Sequence, residues 1–234
     1  MQLVDSGKAE QGLALAKSQL TGKPEDRDTY VSLANINIRA RHWADASVAL
    51  DKAEELTTKP DDKIFIYFLR GNLADKQKRR DEAEIQLRKV LAIDPADANT
   101  LNYLGYMFAD RGEKLQEALT MVKKAVELEP QNGAYLDSLG WVYFKLGQYQ
   151  LAEDNLTKAA ERIGTDPTVH DHLGQVYEKT GKLKQAVGQW ERALVEYDHS
   201  LSADIDSEDV DHLHRRLDTA KVKLARVHEA KVVQ

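Results

Sequence analysis

The stretch Leu136-Asp137-Ser138-Leu139-Gly140-Trp141-Val142-Tyr143, followed by Gly147-Gln148-Tyr149-Gln150-Leu151-Ala152 and then Leu156 and Ala159, decides the fold. Leu136, Leu139, Gly140 and Tyr143 are related by steps of three and four, the spacing of one helical face. Gly147 stands where such a helix would need a left-handed C-terminal turn. Ala152, Leu156 and Ala159 resume the same spacing beyond it. The segment reads as two helices joined by a tight turn.

The same pattern recurs along the chain. Pro24, Pro60, Pro95, Pro130 and Pro167 follow one another at 35 to 37 residues. Small residues keep the same period: Ala34, Gly71, Gly105, Gly140 and Gly174 in one phase, and Gly12, Ala46, Ala83, Ala118, Ala152 and Ala186 in another. Large residues fill fixed places between them. Leu33, Leu104, Leu139 and Leu173 precede the first small site, Phe108, Tyr143 and Tyr177 follow it, and Leu50, Leu87, Val122, Leu156 and Trp190 recur in the second half of each unit. Small residues are needed where antiparallel helices cross closely, and large ones fill the space beside the crossing.

These residues resemble a tetratricopeptide repeat. The unit after Gly140 repeats the pattern with Leu173-Gly174, Tyr177, Gly181, Ala186, Trp190 and Ala193, and residues 98–130 match with one residue inserted between Gly112 and Ala118. Residues 64–95 match with Arg70 where leucine is usual, and residues 27–60 are the most degenerate, with Ala34 and Asn37 replacing glycine and tyrosine. The resemblance implies an all-α fold, a right-handed superhelical solenoid of hairpins with a C-terminal capping helix. The expected organisation is a partial repeat over 1–26, five hairpins over 27–198, an acidic linker over 199–209 and a capping helix over 210–234.

Both ends carry further expectations. Gly7 and Gly12 match a turn glycine and a second-helix small site, which places Leu3 in the tail of an incomplete first helix and Met1 near its middle. Further repeats and any targeting signal are therefore expected upstream. From Glu196 to Asp211 there are seven carboxylates and no Lys or Arg. A calcium loop fails there, because Asp209 stands where glycine is needed and Arg215 where the bidentate glutamate is needed. Val210, Leu213, Leu217, Ala220, Leu224 and Val227 then form an apolar stripe suited to covering the last hairpin, with a coiled-coil seam as the alternative.

Composition narrows the function. The 234 residues are 42% hydrophobic and 31% charged with a net charge of −6, which argues against a general nucleic-acid binder. The apolar runs are too interrupted for membrane insertion. There is no cysteine, so disulfides, thiol catalysis and thiolate metal sites are excluded. No catalytic motif of hydrolase, metalloprotease or nucleotide-binding type occurs, and no cofactor is expected. His170 and His172, like His212 and His214, are two apart and point to different helical faces, so neither pair chelates a metal by itself; filling a helix contact is the ordinary role.

The remaining reading is a non-catalytic scaffold that binds a protein or peptide. In stacked hairpins the first helices line the concave side, and the resemblance assigns groove places to Asn35, Phe68, Asn72, Asn102, Tyr106, Asp137, Trp141, Asp171 and Gln175. The asparagines can both donate to and accept from an extended backbone, and Tyr106 and Trp141 offer aromatic surface of the kind enriched at hot spots. The alternative is that these rings pack between neighbouring first helices. Repeats that clamp a partner's carboxylate carry lysines where this chain has Val31, Phe68, Asn102, Asp137 and Asp171, so the acids here suit a partner bearing Lys or Arg instead. Competing readings are a self-assembling array and the docking region of a larger enzyme. The repeat style is similar to long bacterial tetratricopeptide proteins, which inclines the expected location towards the cell envelope.

Overall fold

The computed structural model describes residues 9–200 and 207–232, and every regular element among them is helical. Leu3, Gly7 and most of the acidic linker lie outside the described residues. The chain divides into two compact units, Met1–Thr100 and Leu101–Gln234.

In the first unit α1 (Ala9–Lys17) precedes two hairpins: α2 (Arg27–Arg39) with α3 (Trp43–Glu55), and α4 (Ile64–Lys76) with α5 (Arg80–Ile93). Leu13, Leu33, Ile36, Leu50, Ile66, Leu69 and Leu73 join one apolar core. Helix α6 (Ala98–Arg111) opens at the boundary and pairs with α7 (Leu115–Leu128). The second unit continues with α8 (Gly133–Lys145) and α9 (Tyr149–Arg162), α10 (Pro167–Lys179) and α11 (Leu183–His199), and ends in α12 (Ser207–Val232).

The periodic small residues are where the paired helices touch. A Cβ on Gly71 would lie 2.8 Å from Leu87, one on Gly105 2.5 Å from Val122, and one on Gly140 2.6 Å from Leu156. Each first-helix glycine therefore faces the large residue of its partner helix, and the two recur together because they form one contact. The second-phase residues Ala46, Ala83, Ala118, Ala152 and Ala186 are all fully buried.

Hairpin turns use the left-handed conformation, at Gly112, Gly147 and Gly181 with φ of 69°, 74° and 76°. In the first unit Arg41 and Lys78 take that place with φ of 59°, so the geometry persists without glycine. The inserted residue between α6 and α7 is absorbed by a second left-handed residue, Lys114, with φ of 47°. Side chains cap the starts of α8 and α10. The Asn132 side chain accepts from the Ala134 and Tyr135 amides to open α8, and Asp166 accepts from the Thr168 amide to open α10, with Pro167 in its first turn.

Helix α12 packs on the last hairpin, where Leu213, Leu217 and Ala220 meet Ala186, Trp190 and Ala193. These three residues of the stripe are thus occupied within the chain, as a cap needs. Val222, off that stripe, is 52% exposed.

Candidate functional site

The first helices α6, α8 and α10 of the second unit bring a set of polar and aromatic side chains together. His172 on α10 reaches Asp137 on α8, its Nδ1 lying 2.9 and 3.1 Å from the two carboxylate oxygens, and both residues are buried. The Trp141 indole stacks on the His172 imidazole at 4.0 Å between centroids and on Phe144 at 4.9 Å. Tyr106 tilts against His172 at 6.2 Å. Lys145 places its ammonium 4.7 Å from the Trp141 ring centre and donates to the Asp110 carbonyl at 2.9 Å.

The electrostatics follow from this crowding. Burial alone would lower the His172 pKa, but the Asp137 charge and hydrogen bond, with Asp171 and Asp110 adding, raise it above the ordinary value. Burial pushes the Tyr106 phenol well above its usual range, and nearby carboxylates, Asp137 first, push it further. Lys145 is lowered by burial, partly offset by Asp110.

A second group lies alongside. Asp171 accepts from the Trp190 indole N–H at 2.9 Å, from Gln175 at 3.1 Å and from Arg216 of α12 at 2.6 Å. Lys223 of α12 donates to Glu178 at 2.6 Å. The capping helix thus supplies cations to the acids of α10.

The nine groove candidates meet different environments. Tyr106, Asp137 and Trp141 belong to the arrangement around His172, Asn102 lies one turn before Tyr106 on α6, and Asp171 and Gln175 form the group beside it. Asn35, Phe68 and Asn72 stand half-buried on the first helices of the first unit. The Asn35 amide lies 3.4 Å from the Val31 carbonyl of its own helix, and Phe68 and Asn72 also have interactions within the chain.

Two expectations need correction. Trp141 was expected to present an open ring, but it is only 5% exposed, because His172 and Phe144 supply stacking partners on its faces. Asp137 and Asp171 were expected to await a partner's cation, but His172 and Arg216 already pair with them. What this face leaves unpaired is different: the Asn102 carbonyl oxygen and the Trp141 indole nitrogen are enclosed without a hydrogen-bond partner.

His172 is the residue that sequence reasoning missed. Its spacing suggested only a generic helix contact, yet it organises the face. The available signal was its place, one repeat beyond Asp137 at a separation of 35 residues. His170 does fill a contact, with Nε2 donating to the Gly164 carbonyl at 2.9 Å and Nδ1 2.7 Å from the Gln189 side chain.

Among the described residues, no helix is long and apolar enough to cross a membrane, and no group of three or more His, Asp or Glu side chains is placed to hold a metal.

Tetratricopeptide repeat profiles match residues 66–97, 109–170 and 138–200. No curated protein sequence matches the chain significantly. Among solved structures, the chain is similar to PilW, a widely conserved type IV pilus biogenesis factor, with 20% identity, a TM-score of 0.69, and 88% of this chain and 91% of that one covered. It is similar to TTC0263, a thermophilic tetratricopeptide repeat protein of Thermus thermophilus, with 19% identity, a TM-score of 0.64, and 84% and 99% of the two chains covered. A tetratricopeptide repeat protein from Parabacteroides merdae aligns with 15% identity and a TM-score of 0.66 over 92% of this chain and 94% of its own.

Proposed function

The chain belongs to the tetratricopeptide repeat family of protein-interaction modules, and from that premise we propose that it is a non-catalytic scaffold binding a polypeptide segment along the first-helix face around Tyr106. The observation that carries this reading is the pair of enclosed, unpartnered polar atoms, the Asn102 carbonyl oxygen and the Trp141 indole N–H. Asn102 and Tyr106 are one helical turn apart on α6, and Tyr106 and Trp141 both flank His172. A backbone amide and carbonyl of a bound segment, admitted by a small side-chain adjustment, would complete both atoms, and the Tyr106 ring would add apolar contact.

The expectation of a basic partner is narrowed accordingly. A Lys or Arg binding at Asp137 or Asp171 must displace His172 or Arg216, so backbone pairing and aromatic contact carry the proposed affinity. The likeness to PilW supports placing such a scaffold in a bacterial envelope.

The test is affinity capture from lysate of the source organism, with the wild-type chain and an Asn102→Ala/Tyr106→Ala variant as baits. A protein retained by the first and lost by the folded second supports the assignment. Equal retention by both baits overturns it. A mass that rises with concentration in light scattering, with no captured partner, favours the self-assembling array.

A further inference from the structure

The later hairpins carry an aromatic ring three residues after their first small site: Phe108, Tyr143 and Tyr177. Phe108 is fully enclosed, Tyr143 is buried, and Tyr177 packs against the core beneath α12. A lysine from the following turn lies over two of these rings, Lys114 at 4.8 Å from Phe108 and Lys182 at 5.5 Å from Tyr177. Two of the rings also reach the second helix of the preceding hairpin, Tyr143 beneath Lys123 of α7 at 5.9 Å and Tyr177 beside Thr157 of α9, so each acts as a plug between successive hairpins.

The first hairpin lacks the plug. Asn37 stands at that place, 4% exposed, and its carbonyl oxygen has no partner. Beside it lies a cleft of about 550 Å³, open to solvent, between α1, α2 and α3, with Leu13, Leu33 and Trp43 among its walls. His42 lines it from the turn that supplies Lys182 in the last hairpin. The next hairpin also lacks a ring, but there Ala74 is fully buried, so its neighbours have closed over the smaller side chain. Asn37 is buried too, but beside it the cleft remains, so its amide borders a space walled by Leu13, Leu33 and Trp43 with charged side chains at the rim.

We propose that this cleft receives the tyrosine side chain of a partner polypeptide. The phenol ring takes the place that Phe108, Tyr143 and Tyr177 fill elsewhere in the chain, and its hydroxyl pairs with the Asn37 amide. A phenol both donates and accepts, so it complements either end of that amide, whereas phenylalanine leaves it unpaired. The volume falls within the range of about 300–1,000 Å³ typical of built ligand sites and exceeds a single ring, leaving room for backbone on either side. Exposed Glu10, Lys17 and Asp45 line the same cleft and offer both signs of charge to the residues flanking the tyrosine. Val48, 59% exposed, adds apolar contact at the opening.

Only the source of the ring rests on reading the chain as a polypeptide binder. The site uses none of Asn102, Tyr106 or His172, so its failure and that of the proposed groove are read in separate experiments.

The test is an NMR titration of the whole chain with N-acetyltyrosinamide, followed at the Trp43 indole and Asn37 side-chain signals. Saturable shifts at both are expected. N-acetylphenylalaninamide should bind about fivefold more weakly, the effect of one ordinary hydrogen bond. Asn37→Tyr should restore the plug, abolish binding and raise Tm. Asn37→Leu keeps room but removes the amide, and should bind the two probes equally. The proposal is overturned by the absence of saturable shifts, by equal affinity of the wild type for both probes, or by undiminished binding to folded Asn37→Tyr. Binding of p-cresol without N-acetyltyrosinamide would assign the cleft to a free small aromatic molecule and overturn the polypeptide source.

Discussion

The His172 imidazole lies flat on the Trp141 indole, 4.0 Å between ring centres and 14° between planes, while the same imidazole is held edge-on by Asp137. One residue thereby serves an apolar and an ionic contact at once. The carboxylate sets the ring's orientation, and the ring covers the tryptophan.

This coupling makes stability depend on pH in a defined direction. The folded His172 pKa is raised above its ordinary value of 6.5 because Asp137 and its hydrogen bond outweigh burial. Protonation is therefore tighter in the folded state, and the contribution is complete below about pH 6.5 and lost as pH rises through the folded value. The Tm difference between wild type and His172→Gln should shrink as pH rises from 6 to 9, a span bracketing the ordinary histidine value. Parallel curves would show that the pair adds no pH-dependent stability.

Trp141→Ala is expected to destabilise by roughly 3–5 kcal/mol, the range for truncating a buried aromatic. Chemical denaturation measures it directly. The same change at half-buried Tyr106 should cost less, which is why Tyr106 and Asn102 are the better probes of binding.

Ala152→Leu tests the helix crossing. The Ala152 carbonyl would lie only 3.2 Å from a Cβ on Gly140, and Ala152 itself is fully buried. Overpacking there should destabilise by roughly 1–3 kcal/mol. An unchanged midpoint in urea would mean that the crossing has slack.

Arg41→Gly should act in the opposite direction. Arg41 holds φ at 59°, which side chains resist and glycine does not. Relief of that strain, reduced by glycine's larger unfolded-state entropy, is expected to stabilise by up to about 1 kcal/mol. Differential scanning calorimetry would register this as a raised Tm.

Leu213→Ala probes the cap. Leu213 is 1% exposed against the last hairpin, so truncation should cost roughly 2–5 kcal/mol and loosen α12. Faster amide exchange over Leu213, Leu217 and Ala220 than in wild type is the expected readout.

By itself, the sequence determined the hairpins, because each crossing needs a small residue at fixed separation from a large one. Gly140 with Leu156 and Gly71 with Leu87 are such pairs, and periodicity alone revealed them. The stripe Leu213, Leu217 and Ala220 was legible for the same reason, since a helix face is a local property of spacing. Which first-helix residues stay open was not legible, because exposure depends on what the next repeat places opposite. Trp141 had an assigned groove place, but only packing decided that His172, one repeat later, would cover it. Asp137 and Asp171 likewise looked available until the folded chain brought them His172 and Arg216, the latter from 45 residues away. Repeat spacing is written within each hairpin, whereas pairing of charges and stacking of rings arise between elements, where a one-repeat separation such as that of Asp137 and His172 marks which places face each other but not whether their side chains pair.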